Sequence, residues 1–524
     1  MKKRFYAVII ALFFYEIMAA QHPNIVIDNS GGADEPSICI DPRNANRMVA
    51  GSNIANVYYS SDAGKTWTKK VQQSSFGVHG DPVIVCDTAG AFYHFHLSNP
   101  PSGAGSWIDR IVGQKSTDGG KTWNNGAFMG KDGTKNQDKH WISVDHRTNT
   151  LYCTWTQFDK YESTAPKDSS HILFSKSTDG GTSWTAAKRI NAQGGDCLDD
   201  DNTVEGAVPC VGTNGEVFVA WAGPTGLVFN RSLDGGTTWL PRERKIADIG
   251  GGWTYTISGI FRANGLPFTA CDTSQGRFRG TIYVNWSDQK NGTDNTDIWL
   301  TKSTDGGATW SPQKRVNDDT GNRQQFFTSM TVDQKTGYLW FIFYDRRNYT
   351  NNATDVYMAL SKDGGETFQN FKVSEQAFSP RSTSFFGDYT HVSAVNNVVR
   401  PIWTAMDAQG QKIIYTALVN VGILTSTTEG GILSKNIAAV SAYPNPTTSD
   451  LTINFETIGA QKLSLRICDT MGKLVQTVFE KKKFEEGRNT ETVNLMNLAA
   501  GAYVYVLQNK RGKTVASGRF VVVK

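Results

Sequence analysis

Ser116-Thr117-Asp118-Gly119-Gly120-Lys121-Thr122-Trp123 is one of six copies of a single octet in this 524-residue chain. The others begin at Ser60 (SSDAGKTW), Ser177 (STDGGTSW), Ser232 (SLDGGTTW), Ser303 (STDGGATW) and Ser361 (SKDGGETF). Successive starts lie 56, 61, 55, 71 and 58 residues apart, the period of a repeated supersecondary unit rather than of one wound sheet. The octet has a physical logic. Its Asp accepts backbone N–H bonds in a tight turn, its Gly supplies a positive φ, and its Ser or Thr hydroxyls close the turn. The terminal Trp or Phe is suited to pack between neighbouring sheets. Six such turns, each between two strands, predict a β-propeller.

Working outward from each octet gives the blades. The first unit reads as an inner strand (Pro36–Asp41), a second strand (Met48–Gly51), a third (Val57–Ser60), the octet turn and a fourth strand. Inner strands are expected near Glu35, Asp81, His140, Glu205, Leu266, Phe326 and Tyr389, one more than the octets. The last unit has no octet and no fourth strand. Asn24–Asp28 can supply that strand and close the ring without an open edge. The expectation is all-β: seven four-stranded blades, with six as the runner-up, over residues 21–420, then a linker over 421–440 and a small C-terminal β-sandwich over 441–524.

Composition narrows the compartment and the partners. Lys2-Lys3-Arg4, the apolar run Phe5–Phe14 and Ala19-Ala20 read as a signal peptide over residues 1–20. That run is too short to span a bilayer, and no later stretch is long enough, so no transmembrane segment is expected after signal removal. A net charge of +4 without a basic block gives no support to nucleic-acid binding. Seven scattered Cys do not make a disulfide framework. Cys39, Cys86, Cys210 and Cys271 fall at equivalent inner-strand places and read as small buried residues, with a Cys197–Cys210 bridge left open. A monomer is the expectation.

Strand direction sorts the polar residues. Alternating strands put every octet turn on one face, so loops into inner strands and out of second strands share the opposite face around the channel. Two groups there carry the candidate chemistry. Glu205, Asp81 and Asp138 are candidate proton-transfer carboxyls. Arg262, Arg323, Arg346, Arg347 and Arg381, from the fifth to seventh blades, are expected to converge as a fork for a carboxylate, with Asp345, Asp388 and His140 beside them in the substrate site. His94 and His96 share a strand on this rim, at a spacing that matches no metal motif. No cofactor is required. The loop with Asp196, Asp199, Asp200 and Asp201 is a candidate for structural calcium, without the spacing of a known calcium loop.

The octets, with Ile282-Tyr-Val-Asn-Trp286, Phe343-Tyr-Asp-Arg-Arg347 and Gly387-Asp-Tyr389, resemble the sialidase-like superfamily of BNR/Asp-box propellers, most nearly its bacterial exo-α-sialidase-type members. That resemblance implies a glycoside hydrolase in which three arginines hold the sugar carboxylate, a Tyr–Glu pair is the nucleophile and an Asp the acid/base. This chain has no Arg-Ile-Pro phrase before the first octet, and no Tyr–Glu pair can be assigned. The tail, through Tyr443-Pro-Asn-Pro446, Met471-Gly-Lys473, Gly501-Ala-Tyr503 and the terminal Lys524, resembles the sorting domain of type IX secretion substrates. It implies that secretion machinery as a partner and an outer-membrane-surface or secreted location in a Bacteroidota-type bacterium. The expected function is a sialidase-like hydrolase of an acidic sugar. The alternatives are a uronic-acid polysaccharide lyase using His or Tyr as base, and a non-catalytic glycan-binding or adhesion propeller.

Overall fold

The computed structural model describes residues 22–421, 424, 437–443, 447–469 and 473–523. The expected signal peptide lies outside them, as do most of the linker, residues 444–446, Met471 and Lys524. The chain divides into two compact units between Val419 and Asn420.

In the first unit the described residues form seven four-stranded antiparallel sheets. Blade 1 is Ser37–Ile40, Met48–Ser52, Asn56–Ser60 and Thr68–Val71, each paired with the next. The innermost strands of blades 2 to 7 are Val83–Cys86, Asn136–Asp145, Glu205–Val211, Phe268–Cys271, Gln325–Val332 and His391–Val395. Neighbouring innermost strands touch, and the seventh touches the first, so the ring closes. Closure comes from the N-terminal side: Asn24–Gly31 pairs with Lys412–Ala417, register Asn24 to Ala417 and Gly31 to Lys412, and so completes blade 7.

Burial falls from the axis outward. Second strands such as Thr150–Phe158 and Val217–Gly223 are buried at every position, because a neighbouring blade covers each face. The fourth strand of blade 1, Thr68–Val71, is exposed throughout. Trp155, Trp221, Trp286 and Trp403 are fully buried in the second strands of blades 3, 4, 5 and 7.

Each octet folds in the same way. Ser60 Oγ donates to Asp62 Oδ1 at 2.8 Å and accepts from Gly64 N at 2.9 Å, while the Thr66 hydroxyl donates to Asp62 Oδ2 at 2.7 Å. Gly64 has φ 81, which an L side chain adopts only under strain. The terminal ring lies against the preceding blade: Trp184 against Phe95, Trp239 against Phe174 and Trp310 against Phe229, at 5.7, 5.0 and 5.0 Å between centroids. Bonds from Ser183, side chain and then backbone, hold the Asp179 carboxyl down at about 2. The octets are thus turn and wedge in one, and they lie at the end of the ring opposite the channel mouth.

The second unit packs a three-stranded sheet (Ile437–Tyr443, Asp450–Thr457, Gly487–Asn494) on a four-stranded one (Leu474–Phe484, Gln461–Asp469, Gly501–Asn509, Thr514–Val522). Leu451, Ile453, Phe455, Leu465, Tyr505 and Phe520 fill the space between the sheets. Its first strand begins at Ile437, inside the stretch expected to be linker, because Ile437 is part of this core. All seven Cys are free. Cys197 and Cys210 are not bridged; Cys197 is buried opposite Ser163, whereas Cys210 packs with Phe218 and Cys271.

Candidate functional site at the channel mouth

The innermost strands begin with a shared irregularity. Glu35, Asp81, Lys139 and Phe327 have φ of 49, 49, 47 and 50, and Gly206 has 72. Pairing slips at the same place, between Asp138 and Trp141, between Glu205 and Val208, and between Phe326 and Ser329. In blades 3, 4 and 6 this is a β-bulge with one residue in the left-handed region, and in blades 1 and 2 the left-handed residue stands just before a regularly paired strand; the conformation costs a non-glycine residue of order 1–3 kcal/mol. Each left-handed residue turns the head of its strand toward the axis. Side chains that would otherwise pack between blades then face one another across the channel.

Lys139 stands at the centre. Its Nζ is 2.8 Å from Asp388 Oδ2 and 3.7 Å from Asp81 Oδ2. Burial works against its charge, but Asp388, Asp81, Asp138 and Glu35 outweigh burial and hold the ammonium well above its ordinary value. Asp388 also receives Arg262 Nε at 2.9 Å and a second guanidinium nitrogen, in a fork-on-carboxylate pair. The third nitrogen of Arg262 donates to Asp199 Oδ2 at 3.1 Å. Arg262 comes from the hairpin Thr254–Tyr255 and Ala263–Asn264 that joins blades 4 and 5. Asn264 of the same hairpin donates to the Asp388 carbonyl at 3.0 Å.

Two carboxyl pairs flank Lys139. Burial first, and the charge of Asp81 second, push Glu35 well above the usual carboxyl range. Its oxygens accept from Asn53 Nδ2 at 2.5 Å and from Asp388 N at 3.1 Å. Burial would raise Asp81 too, yet Lys139, a hydrogen bond from Glu35 and then His140 outweigh it and leave Asp81 lowered. On the other side, burial and then Asp199 push Glu205 well above the usual range. Among the described residues no ordinary donor reaches either Glu205 oxygen. A fully buried carboxyl without a donor holds its proton, and Asp199 is the acceptor beside it. Asp138, between the pairs, is pushed by burial up to about 7.

Aromatic rings edge the mouth. Trp107, 41% exposed, donates to His79 Nε2 at 2.6 Å and lies 5.5 Å from Tyr161, whose hydroxyl donates to Asp199 at 2.8 Å. Phe261, 57% exposed, meets Phe385, over which the Arg262 guanidinium lies at 5.3 Å.

Of the sequence candidates, Glu205, Asp81, Asp138, Asp388 and Arg262 come together here, and His140 lies buried behind Asp81. The rest of the arginine fork does not form. Arg347 is held by Asp345 at 2.8 Å, by Asp318 and by the Tyr357 ring at 4.3 Å, and Asp345 is its buried counter-ion rather than a substrate ligand. Arg346 is buried against Phe326 and donates to Thr354 and the Ser258 carbonyl, so burial lowers it to about 10. Arg381 binds the carbonyls of Ala408 and Gln409, and Arg323 is exposed. Second strands end in tight polar turns that consume their own charges, which strand direction alone does not reveal.

His140, His94 and His96 are buried, and burial lowers all three, to about 4 for His140 and His96. They are neutral rings of the blade interior, not rim ligands. Asp196, Asp199, Asp200 and Asp201 turn to separate partners: Thr203 at 2.9 Å, Tyr161, Asn202 N at 3.2 Å and Thr254 N at 2.7 Å. Among the described residues no three His, Cys, Asp or Glu side chains are grouped to hold a metal ion. Glu35 and Lys139 stand at inner-strand heads, but their central role depends on a left-handed conformation for which neither carries a glycine. Asp199 reads in sequence only as part of an acidic loop.

Residues 58–69 match the BNR/Asp-box repeat model, and residues 441–523 match the secretion system C-terminal sorting domain. No curated protein matches the chain in sequence. Among solved structures it is similar to Trypanosoma rangeli sialidase in complex with sialic acid, at 13% identity over 88% of this chain and 89% of that one, TM-score 0.42. It is similar also to the NanB sialidase from Streptococcus pneumoniae, at 10% identity over 71% and 83%, TM-score 0.42. A third is Penicillium chrysogenum alpha-L-arabinanase complexed with arabinobiose, at 11% identity over 75% and 97%, TM-score 0.40. Likeness of this degree carries no information about a reaction. The chain is a BNR/Asp-box β-propeller followed by a secretion system C-terminal sorting domain.

Proposed function

We propose that the propeller is an exported glycoside hydrolase acting on an uncharged glycan at the channel mouth. The observation that carries this reading is geometric: of the buried carboxyls on either side of Lys139, Asp81 lies 3.7 Å from its ammonium, which lowers it, and Glu205 has no ordinary donor among the described residues, so burial raises it. Environments that push two carboxyls apart divide them into acid and base. Glu205 would give its proton to the departing glycosidic oxygen, and Asp81 would take one from the water that attacks the anomeric carbon. Trp107 and Phe261 offer faces for sugar rings at the edge. Arg262, whose side chain is 40% exposed, covers the centre and must leave Asp199 for Glu205 to be reached.

An acidic sugar is not part of this reading. Arg262 is the one arginine of the expected fork at the mouth, and two carboxylates already share it. A uronate lyase would need a basic His or Tyr; His140 is lowered to about 4 and Tyr389 raised well above its ordinary value, so neither suits proton abstraction near neutrality.

The test is a released-sugar assay on a panel of uncharged and acidic polysaccharides. Reducing ends should appear from an uncharged polymer, and Glu205→Gln and Asp81→Asn should each lower turnover about 100-fold or more. A product absorbing in the ultraviolet would mark a lyase instead. A second reading, a propeller that only grips glycans, is favoured by one observation: Glu205 is fully buried in the closed arrangement. It predicts binding that survives Glu205→Gln with no sugar released by the parent.

A further inference from the structure

Seven blades make seven junctions, and the octets supply only six wedges. Trp67 packs among Ile402 and Ile414 of blade 7, and Trp123 against Val49 and Tyr59 of blade 1. The other octet rings continue the series as far as Phe368, which packs with Phe341 and with the core shared by blades 5 and 6. Blade 7 has no octet; there the buried His22 ring, just before the closing strand, packs against Phe371 of blade 6 at 5.0 Å. At that junction a cleft of about 830 Å³ opens, lined by Val26, Glu375, Phe378, Trp403, Asp407 and Tyr415 among others.

The chemistry of the cleft is specific. Tyr415 and Trp403 stack at 5.8 Å on the face of blade 7 turned toward blade 6, and Val26, beside Tyr415 in the ladder, is 46% exposed. Tyr415 is only partly buried, and burial together with the charges of Glu375 and Asp407 raises its hydroxyl. The one arginine of the lining, Arg381, is held by backbone carbonyls. The lining thus joins the partly exposed Tyr415 ring, backed by the buried Trp403, to hydrogen-bonding groups and lacks a free cation among its described residues. That suits a hydroxyl-rich, uncharged chain and disfavours an anionic one. One segment walls both sites: Ser374–Arg381 lines the cleft, and Phe385 and Asp388, a few residues on, belong to the mouth.

We propose that the wedge between blades 6 and 7 is a second carbohydrate site that holds an extended, uncharged glycan. As a site for the polymer being processed, it rests on the hydrolase reading above; as a binding site it stands by itself. The experiment is affinity electrophoresis of the full chain through gels containing arabinan, xylan or a mixed-linkage β-glucan, alongside turnover of a small aryl glycoside. Tyr415→Ala removes the platform, and Val26→Trp and Gln376→Trp fill the cleft from two sides. Cooperative urea unfolding identifies any variant that has not folded.

The expected result is retardation of the parent by at least one polymer, reduced fivefold or more in the folded variants, with small-substrate turnover unchanged. Equal retardation of parent and all three variants would overturn the proposal, as would binding lost only in Glu205→Gln. Retardation by none of the uncharged polymers would overturn it too, and an extended peptide that instead slows amide exchange along Asn24–Gly31 would assign the cleft to a strand partner. Binding lost in the variants while the parent releases no sugar keeps the second site and removes the hydrolase.

Discussion

Lys139 shows how much one residue can hold in place. It is buried, adopts φ 47, and is the only ammonium between Asp388 and Asp81 among the described residues. Removing one partner of a buried ion pair leaves an uncompensated charge, which costs about 3–5 kcal/mol. Lys139→Met should therefore lower the unfolding free energy in urea by that order, and a change below about 1 kcal/mol would show that Asp388 is satisfied by Arg262 alone. Asp138 gives a pH signature. Burial brings its carboxyl up to about 7 in the folded chain, against an ordinary value of 3.8 when unfolded, so the folded state holds the extra proton between those values. Its contribution to stability is present in acid and lost as pH rises from about 4 to 7, by roughly 1 kcal/mol per pH unit. Asp138→Asn removes that slope. Parent and variant curves of stability against pH that run parallel over this window would contradict it. Buried histidines act in the opposite sense: His96 and His140, lowered to about 4, contribute stability above 6.5 that is lost as pH falls toward 4.

Among the elements, the octet turn and the bulge differ in how they show in sequence. The octet carries its turn in its own letters, Asp for the N–H groups and Gly for positive φ, so six turns and their ring faces are legible at once. Asp118→Ala would strip acceptors from Lys121 N, Thr122 N and the hydroxyls of Ser116 and Thr122, at a cost of about 1–2 kcal/mol in urea unfolding; an unchanged midpoint would mean that water replaces them. The left-handed strand heads are silent, because Glu35, Asp81 and Lys139 take that region without glycine. Only blade 4 spells its bulge, with Gly206. A Cβ there would lie 2.8 Å from Leu266 at φ 72, so Gly206→Ala should destabilise by about 1–3 kcal/mol and disturb Glu205 next to it. This explains which candidates meet at the mouth. Carboxyls at inner-strand heads are aimed inward by the left-handed residues there, whereas Arg346 and Arg347, at the end of a second strand, are drawn into local turns. In the sorting domain, alternating apolar strands such as Asp450–Thr457 were legible, but Leu474–Phe484 and Gly487–Asn494 are too polar and exposed to announce themselves.

For the whole molecule, closure is the governing fact. The ring is completed by Asn24–Gly31, some 380 residues before its partner strand Lys412–Ala417, so both ends of the propeller are needed to seal one blade. The Lys69 ammonium and the Tyr58 hydroxyl fasten this strand to blade 1 through Asp28. Sealing also sets the mouth, because Asp34 and Glu35 follow directly from the closing strand and Asp388 enters from the other side of the same blade. On the proposed reading, the mouth performs acid–base chemistry only as a finished ring. The most direct measurement of that chemistry is kcat/KM against pH on an uncharged polysaccharide, for the parent and for Glu205→Gln. The account predicts a bell for the parent, its acid limb set by Asp81 and its alkaline limb by Glu205. The variant should be about 100-fold or more slower and lack the alkaline limb. A variant with the parent's rate and both limbs would contradict it.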